Sequence, residues 1–317
     1  MTPPCRTVFV GAVEEGRRCL QALLASGESF AGIVTLTESA ARTTSGAVPF
    51  EDLAVPRGIP LLKVRDLNAA ASVEQVRALA PDLVLVIGWT RLLSADLLEI
   101  PRFGCVGFHA SLLPRYRGRA PVNWAIIRGE SETGNTMFFL DDGVDTGDII
   151  AQRRIPIDYE DTCATLYRKV ADSAIDMLRD KLPLLKQGRA SATPQDHALA
   201  TVMPKRRPED GAMDWSRSSR ELYDWVRALT HPYPGAFDEL AGRRLYVWRA
   251  SEMRGSGGDT AAAPPGTILR IEGDTAIVAT GKANLALERV QWEGGLETGG
   301  ASLADMAGRR FGGAFAA

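Results

Sequence analysis

The stretch "TVFVGAVEEGRRCLQALLASGESFAGIVTL", Thr7 to Leu36, decides the fold. It opens on a β-branched run, TVFVG, passes into an amphipathic segment from Glu14 that stops at Gly27, and returns to the apolar run FAGIVTL at Phe30–Leu36. These patterns predict strand, helix and strand in succession. A helix between two strands is the crossover that parallel pairing requires. Downstream the alternation continues with SVEQVRALA (72–80) as a helix, DLVLVIGW (82–89) as a strand, SADLLEI (94–100) as a short helix and GCVGFH (104–109) as a strand. The expected fold class is therefore α/β, with an N-terminal doubly wound, Rossmann-like, mostly parallel sheet. The first turn, GAVEEG, is not the GxGxxG fingerprint, so the sheet alone does not imply a dinucleotide.

Two further strands, NTMFFL (135–140) and DIIAQRRIPI (148–157), flank the loop DDGVDTG, and a long helix is expected from Asp161 to Lys186 with Pro183 as a kink. The polar, small-residue stretch 188–206 reads as a linker between a domain at 1–187 and a second at 207–317. In the second, SRSSRELYDWVRAL (216–229) predicts a capped helix. The runs RRLYVWRA, GTILRIEG, TAIVATG and NLALERVQWEG predict short strands of a small β-barrel, OB-like module, with MRGSGGDTAAAPPG (253–266) as a flexible loop.

Composition narrows the function. The chain has 317 residues, 24% charged and 45% hydrophobic, and its apolar runs are too short for a bilayer span; with no leader-like N-terminus, a cytoplasmic protein without membrane partners is expected. Cys5, Cys19, Cys105 and Cys163 lack metal or disulfide spacing, so free thiols and no metal are expected. Net charge is −2, which gives no general attraction for a polyanion. Oligomeric state is not readable.

Ligands of open α/β sheets bind beyond the carboxyl ends of the strands. His109 ends the run GCVGFH and Asp145 lies in the loop after NTMFFL, so both are expected on that rim. A histidine and carboxylate there can supply general acid or base chemistry; a histidine capping a turn and an aspartate in an Asx-turn account for the same residues without chemistry. Arg115, Arg117 and Arg119 could clamp a phosphate or carboxylate, or be surface arginines of a loop.

At these residues the chain resembles the formyltetrahydrofolate-dependent formyltransferases. His-Ala-Ser-Leu-Leu-Pro at His109–Pro114, the arginine and glycine segment after it, and "DDGVDTGDI" at Asp141–Ile149 match their signature in order and spacing. Met203–Phe237 resembles the junction and C-terminal domain of the methionyl-tRNA and amino-arabinose formyltransferases. The resemblance implies 10-formyltetrahydrofolate as co-substrate and attack by a primary amine. His109 would stabilise the oxyanion, and Asp145 would hold His109 and help proton transfer. Gly88, Trp89, Arg91, Leu92, Ser111, Leu112, Leu113, Pro114, Leu140, Asp141 and Val144 would form the folate slot. Arg115, Tyr116, Arg117, Arg119 and Asn123 would bind the acceptor.

One residue departs from the signature. The resemblance implies an asparagine two residues before the histidine, and Gly107 stands there. Another donor, with Asn123 or Asn135 as candidates, could replace it; backbone NH groups and His109 could suffice; or the chemistry could have changed. As to the acceptor, Arg42 is the lone positive charge in "TESAARTTSGAVPFED", and residues 205–317 carry 15 basic against 15 acidic side chains. That balance argues against tRNA, because phosphate neutralisation drives such binding. The expected function is N-formylation of a small-molecule amine, an amino sugar nucleotide or amino-acid-derived amine. The alternatives are methionyl-tRNA formyltransferase and a non-catalytic folate- or nucleotide-binding module.

Overall fold

The computed structural model describes residues 4–253 and 263–312. The chain forms two compact units, one of residues 1–121, 132–156 and 166–204, the other of 122–131, 157–165 and 205–317. In chain order the elements are β1 (Thr7–Val10), α1 (Glu14–Ala25), β2 (Gly32–Leu36), α2 (Glu38–Ala41), α3 (Glu51–Ala54), β3 (Leu61–Val64), α4 (Ala70–Ala78), β4 (Leu83–Val86), α5 (Ala95–Leu98), β5 (Cys105–His109), β6 (Arg117–Gly118), α6 (Pro121–Ile127), β7 (Glu132–Phe139), β8 (Ile149–Pro156), α7 (Cys163–Leu185) and β9 (Val202–Met203). Among the described residues no helix is long and apolar enough to cross a membrane.

The first unit is built on a seven-stranded sheet in the order β3-β2-β1-β4-β5-β7-β8. Strands β1 to β5 pair in parallel, and β7 and β8 run antiparallel at one side. The doubly wound, mostly parallel sheet expected from sequence is present. Its strand order reverses between β1 and β4, the switch point beyond which such sheets bind ligands. One face is covered by α1 and α7: Phe9, Leu85, Ile87, Val106 and Met137 pack against Cys19, Leu20, Leu23, Ala174 and Met177. On the other face Val8, Val10, Val84 and Val86 pack with Val73, Val76 and Leu97. Burial on both faces explains why the parallel strands read as continuous apolar runs.

Residues 188–204, expected as a linker, belong to the first unit. β9 pairs in parallel with β6, and Thr193 exchanges backbone hydrogen bonds with Ile149. Backbone polar groups of a small-residue segment find partners as readily in a sheet as in water, so composition did not reveal the docking.

The second unit carries α8 (Ser219–Leu229), β10 (Ala236–Leu240), β11 (Arg243–Glu252), β12 (Ile268–Glu272), β13 (Thr275–Ala279), β14 (Asn284–Trp292) and β15 (Glu297–Gly299). The strands form an antiparallel sheet in the order β10-β11-β14-β13-β12, with β15 on β14. Helix α8 starts at a capping box in which Ser218 and Glu221 satisfy each other's backbone NH groups. Most of the expected loop 253–266 lies outside the described residues.

Helix α1 contains a carboxyl that costs stability. Burial pushes Glu15 up to about 7 from the ordinary glutamate value. A carboxyl raised in the folded state contributes fully below its unfolded pKa, and that contribution is lost as pH rises toward 7. The loss amounts to about 3 kcal/mol by pH 8. Glu15→Gln is therefore expected to raise Tm by several degrees at pH 8 and to leave it near wild type at pH 4, as read by thermal denaturation at both pH values.

Candidate active site

His109 is the last residue of β5 and is buried. Its Nε2 lies 2.7 Å from the Tyr116 carbonyl oxygen, and its Nδ1 lies 3.5 Å from Asp145 Oδ2. A carbonyl only accepts, so Nε2 carries a proton, and the imidazole is fixed between main chain on one side and carboxylate on the other. Asp145 Oδ2 also accepts from the Gly118 backbone NH at 2.8 Å. The expected histidine and aspartate pair is thus formed at the carboxyl end of the sheet.

The backbone around it is strained. Tyr116, Ala120 and Asp145 are non-glycine residues with φ of 59°, 51° and 54°. Such conformations persist only where surrounding contacts over-determine them. The Tyr116 NH donates to Thr201 Oγ1 at 2.8 Å. Gln195 Nε2 donates to the carbonyls of Asp145 (3.0 Å) and Gly147 (2.7 Å), while its Oε1 accepts from Arg117. Asp141 accepts from the Gly143 NH and the Thr146 hydroxyl, closing the loop that carries Asp145. Sequence reasoning missed Gln195 and Thr201, because hydrogen bonds spanning 50 to 85 residues leave no local pattern.

The Ser-Leu-Leu-Pro turn is held from within. Ser111 Oγ donates to the Arg115 carbonyl, and the Leu113 NH donates to Thr136 Oγ1, whose own proton goes to the Ser111 carbonyl. Gln152 Nε2 donates to the Leu113 carbonyl at 2.7 Å. Leu112, Leu113, Pro114 and Arg115 line a cavity of about 750 Å³ together with Glu132, Gln152, Arg154, Leu199 and Thr201. None of Gly88–Leu92 or Leu140–Val144 lines that cavity.

Those two segments form the rest of the rim. Gly88, at φ 65°, packs so closely on α1 that a Cβ there would lie 2.8 Å from the Gly16 nitrogen. Trp89 packs near Ala12, Leu36 and Ala40, and its buried indole NH has no acceptor among the described residues. Arg91 donates to the Arg65 carbonyl. Leu92 and Val144 are 53% and 45% exposed.

The expected arginine clamp is not formed. Arg117 is buried, with its guanidinium on Gln195 Oε1 and beside His197 Nδ1, and Arg119 donates to the Thr90 carbonyl. Arg115 lies over the Tyr116 ring. Neither candidate replacement for the missing amide is at the rim. Asn123 belongs to the second unit and donates to the Ala228 carbonyl. Asn135 donates to the Val170 carbonyl and Ser173 hydroxyl of α7, because β7 alternates and Thr136, its neighbour, is the residue opposite His109. At Gly107 a Cβ would meet Leu140 Cδ2 at 2.6 Å, so a leucine occupies the space beside this glycine.

Residues 15–182 match the family described as formyl transferase, and 205–307 match the formyl transferase C-terminal domain. The chain is 36% identical over 291 residues to the methionyl-tRNA formyltransferase of Geotalea uraniireducens, covering 91% of each. It is 37% identical to that of Citrifermentans bemidjiense, covering 91% of this chain and 89% of the relative. Among solved structures, HypX from Aquifex aeolicus in complex with tetrahydrofolic acid shares the fold at TM-score 0.68 and 18% identity over 95% of this chain, which spans 47% of that longer protein. The sequence relatives overturn the expectation of a small-molecule acceptor with tRNA disfavoured. Net charge averages over patches. In the second unit Arg206 stacks on both Trp124 (5.0 Å) and Trp225 (4.7 Å), with Arg128 on the first ring and Arg217 on the second, a local cluster of guanidinium groups within a neutral sequence.

Proposed function

The chain belongs to the formyl transferase family, and on that premise we propose that it transfers the formyl group of 10-formyltetrahydrofolate to the α-amine of methionyl-tRNA. The observation that carries this reading is His109 held between the Tyr116 carbonyl and Asp145 at the carboxyl end of β5. The folate, when bound, supplies a formyl carbon already attached to nitrogen. Gly88–Leu92 and Leu140–Val144 would hold it, with Leu92 and Val144 covering apolar surface. His109 presents an imidazole held between two fixed oxygens, and Asp145 takes the proton that leaves the attacking amine and returns it to the folate nitrogen as the bond from that nitrogen to the formyl carbon breaks. Preorganisation comes from Gln195, Thr201 and the Gly118 NH, which keep both side chains in place before substrate arrives. A cytoplasmic setting goes with this reading, and among the described residues all four cysteines are free thiols.

Incubation of the protein with 10-formyltetrahydrofolate and charged initiator tRNA is expected to yield formylmethionyl-tRNA and tetrahydrofolate in equal amounts. Tetrahydrofolate release with no label on the tRNA would overturn the acceptor, and no release at all would overturn the transfer.

A further inference from the structure

The cavity at the Ser-Leu-Leu-Pro turn has no part in the scheme above. It measures about 750 Å³, and the described residues that line it all belong to the first unit. Register fixes its distance from the imidazole. His109 on β5 pairs with Thr136 on β7, and Thr136 pairs with Gln152 on β8, so the three side chains share one face of the sheet. Gln152 lines the cavity, two strand spacings or about 10 Å from His109. Thr201, another lining residue, accepts from the NH of Tyr116, whose carbonyl holds His109 Nε2. The loop Gly88–Leu92 follows β4, on the other flank of β5. His109 therefore stands between the loop assigned to the folate and this cavity.

Most polar groups of the wall are already engaged. Gln152 spends its amide NH₂ on the Leu113 carbonyl at 2.7 Å and Thr136 Oγ1 at 3.0 Å. The Thr201 hydroxyl oxygen accepts from Tyr116, and Glu132 pairs with Arg154. What the wall offers a ligand is carbon, from Leu112, Leu113, Pro114 and Leu199. Leu112 is seated on β7 at Gly134, where a Cβ would lie 2.3 Å from its Cδ2, so the glycine leaves the room that this leucine fills. Leu199 is 63% exposed. Such a wall takes an apolar side chain and rejects a charged or amide one, which would give up water without gaining a partner. Arg115 adds an exposed guanidinium to the lining, suited to a phosphodiester.

We propose that this cavity receives the aminoacyl end of the acceptor, and that Leu112 and Leu199 hold the unbranched methionyl side chain and so select the amino acid. This rests on the methionyl-tRNA reading above, and it assigns Leu112 to the acceptor rather than to the folate. With its amine at His109, the esterified amino acid directs its side chain across β7 toward β8, onto the leucines. A volume of this size holds more than one side chain and leaves space for the terminal nucleoside, whose phosphate meets Arg115. The thioether is flexible and polarisable, and packs against aliphatic groups of irregular outline.

The test measures kcat/KM for one initiator tRNA charged with methionine or with alanine, in wild type, Leu199→Ala and Leu112→Ala, together with the KM for 10-formyltetrahydrofolate. Because the tRNA is the same, its own contacts cancel in the ratio. Wild type is expected to prefer the methionyl form by about tenfold to two-hundredfold. Each variant is expected to cut that preference by about fivefold or more and to leave the folate KM within about twofold of wild type. Equal losses for both charged tRNAs, as a merely structural role would give, would overturn the proposal. So would a wild type without preference, or an unchanged preference with a raised folate KM, which would give the cavity to the folate. Leu199→Ala trims an exposed side chain, so it carries the test should Leu112→Ala not fold. A wild-type protein that formylates neither charged tRNA is a failure of the transfer reading itself, and is distinguishable because no ratio exists to compare.

Discussion

His109→Ala is expected to lower kcat by about a hundredfold to ten-thousandfold while binding of a folate analogue stays near wild type. The ring fills a buried position between Tyr116 and Asp145, and no other imidazole is placed to replace it: Nδ1 of His197 faces Arg117, and His231 stacks on Trp248 in the second unit. Asp145→Asn should bring a loss of similar order with little change in fold. The amide can still accept from the Gly118 NH, so the loop at φ 54° keeps its anchor, but the negative charge facing Nδ1 is gone. Steady-state formylation with calorimetric folate binding separates the two effects. Rates within about threefold of wild type in either variant would remove that residue from the chemistry.

The second large effect is a gain. Gly107 offers no side-chain donor beside His109, and the space a side chain would take is filled by the end of Leu140, with Cδ2 at 2.6 Å and Cγ at 3.1 Å from the ideal Cβ position. Gly107→Asn alone must displace that leucine, so a modest change is expected. Combined with Leu140→Ala, the asparagine has room, and one added oxyanion donor is expected to raise kcat by about tenfold to a hundredfold. Leu140→Ala by itself should not raise it. If the double variant is no faster than wild type, the site works without an amide at this position, and His109 with backbone donors carries the charge.

The sequence revealed the parallel sheet because both faces of β1, β2 and β4 are buried, which writes an unbroken apolar run into each strand. The helices α2 and α3 were not foreseen: four residues are too few to show a period of 3.6. Strand β10, AFDEL, is polar at its centre and edges its sheet, so it lacks the signature that β13 displays. His109 and Asp145 were legible from a motif. The residues that hold them were not, since Gln195 and Thr201 lie in a stretch whose composition resembles a tether. Asn135 was a candidate by nearness in sequence, and on a strand neighbouring side chains face opposite ways, so it turns to α7 while Thr136 stands opposite His109. Net charge obscured the guanidinium cluster around Trp124 and Trp225 for a similar reason, because composition carries no geometry.

The docking of 188–204 changes where the molecule can be divided. A fragment ending with α7 would retain every strand of the main sheet and both the His109–Pro114 and Asp141–Ile149 motifs, and would still lack the hydroxyl under Tyr116 and the amide that fastens the Asp145 loop. Left-handed backbone at two bulky positions would then have nothing to oppose its relaxation. The smallest piece of this chain able to keep its imidazole aligned therefore runs to Pro204, and the segment that reads as dispensable is part of the machinery's frame.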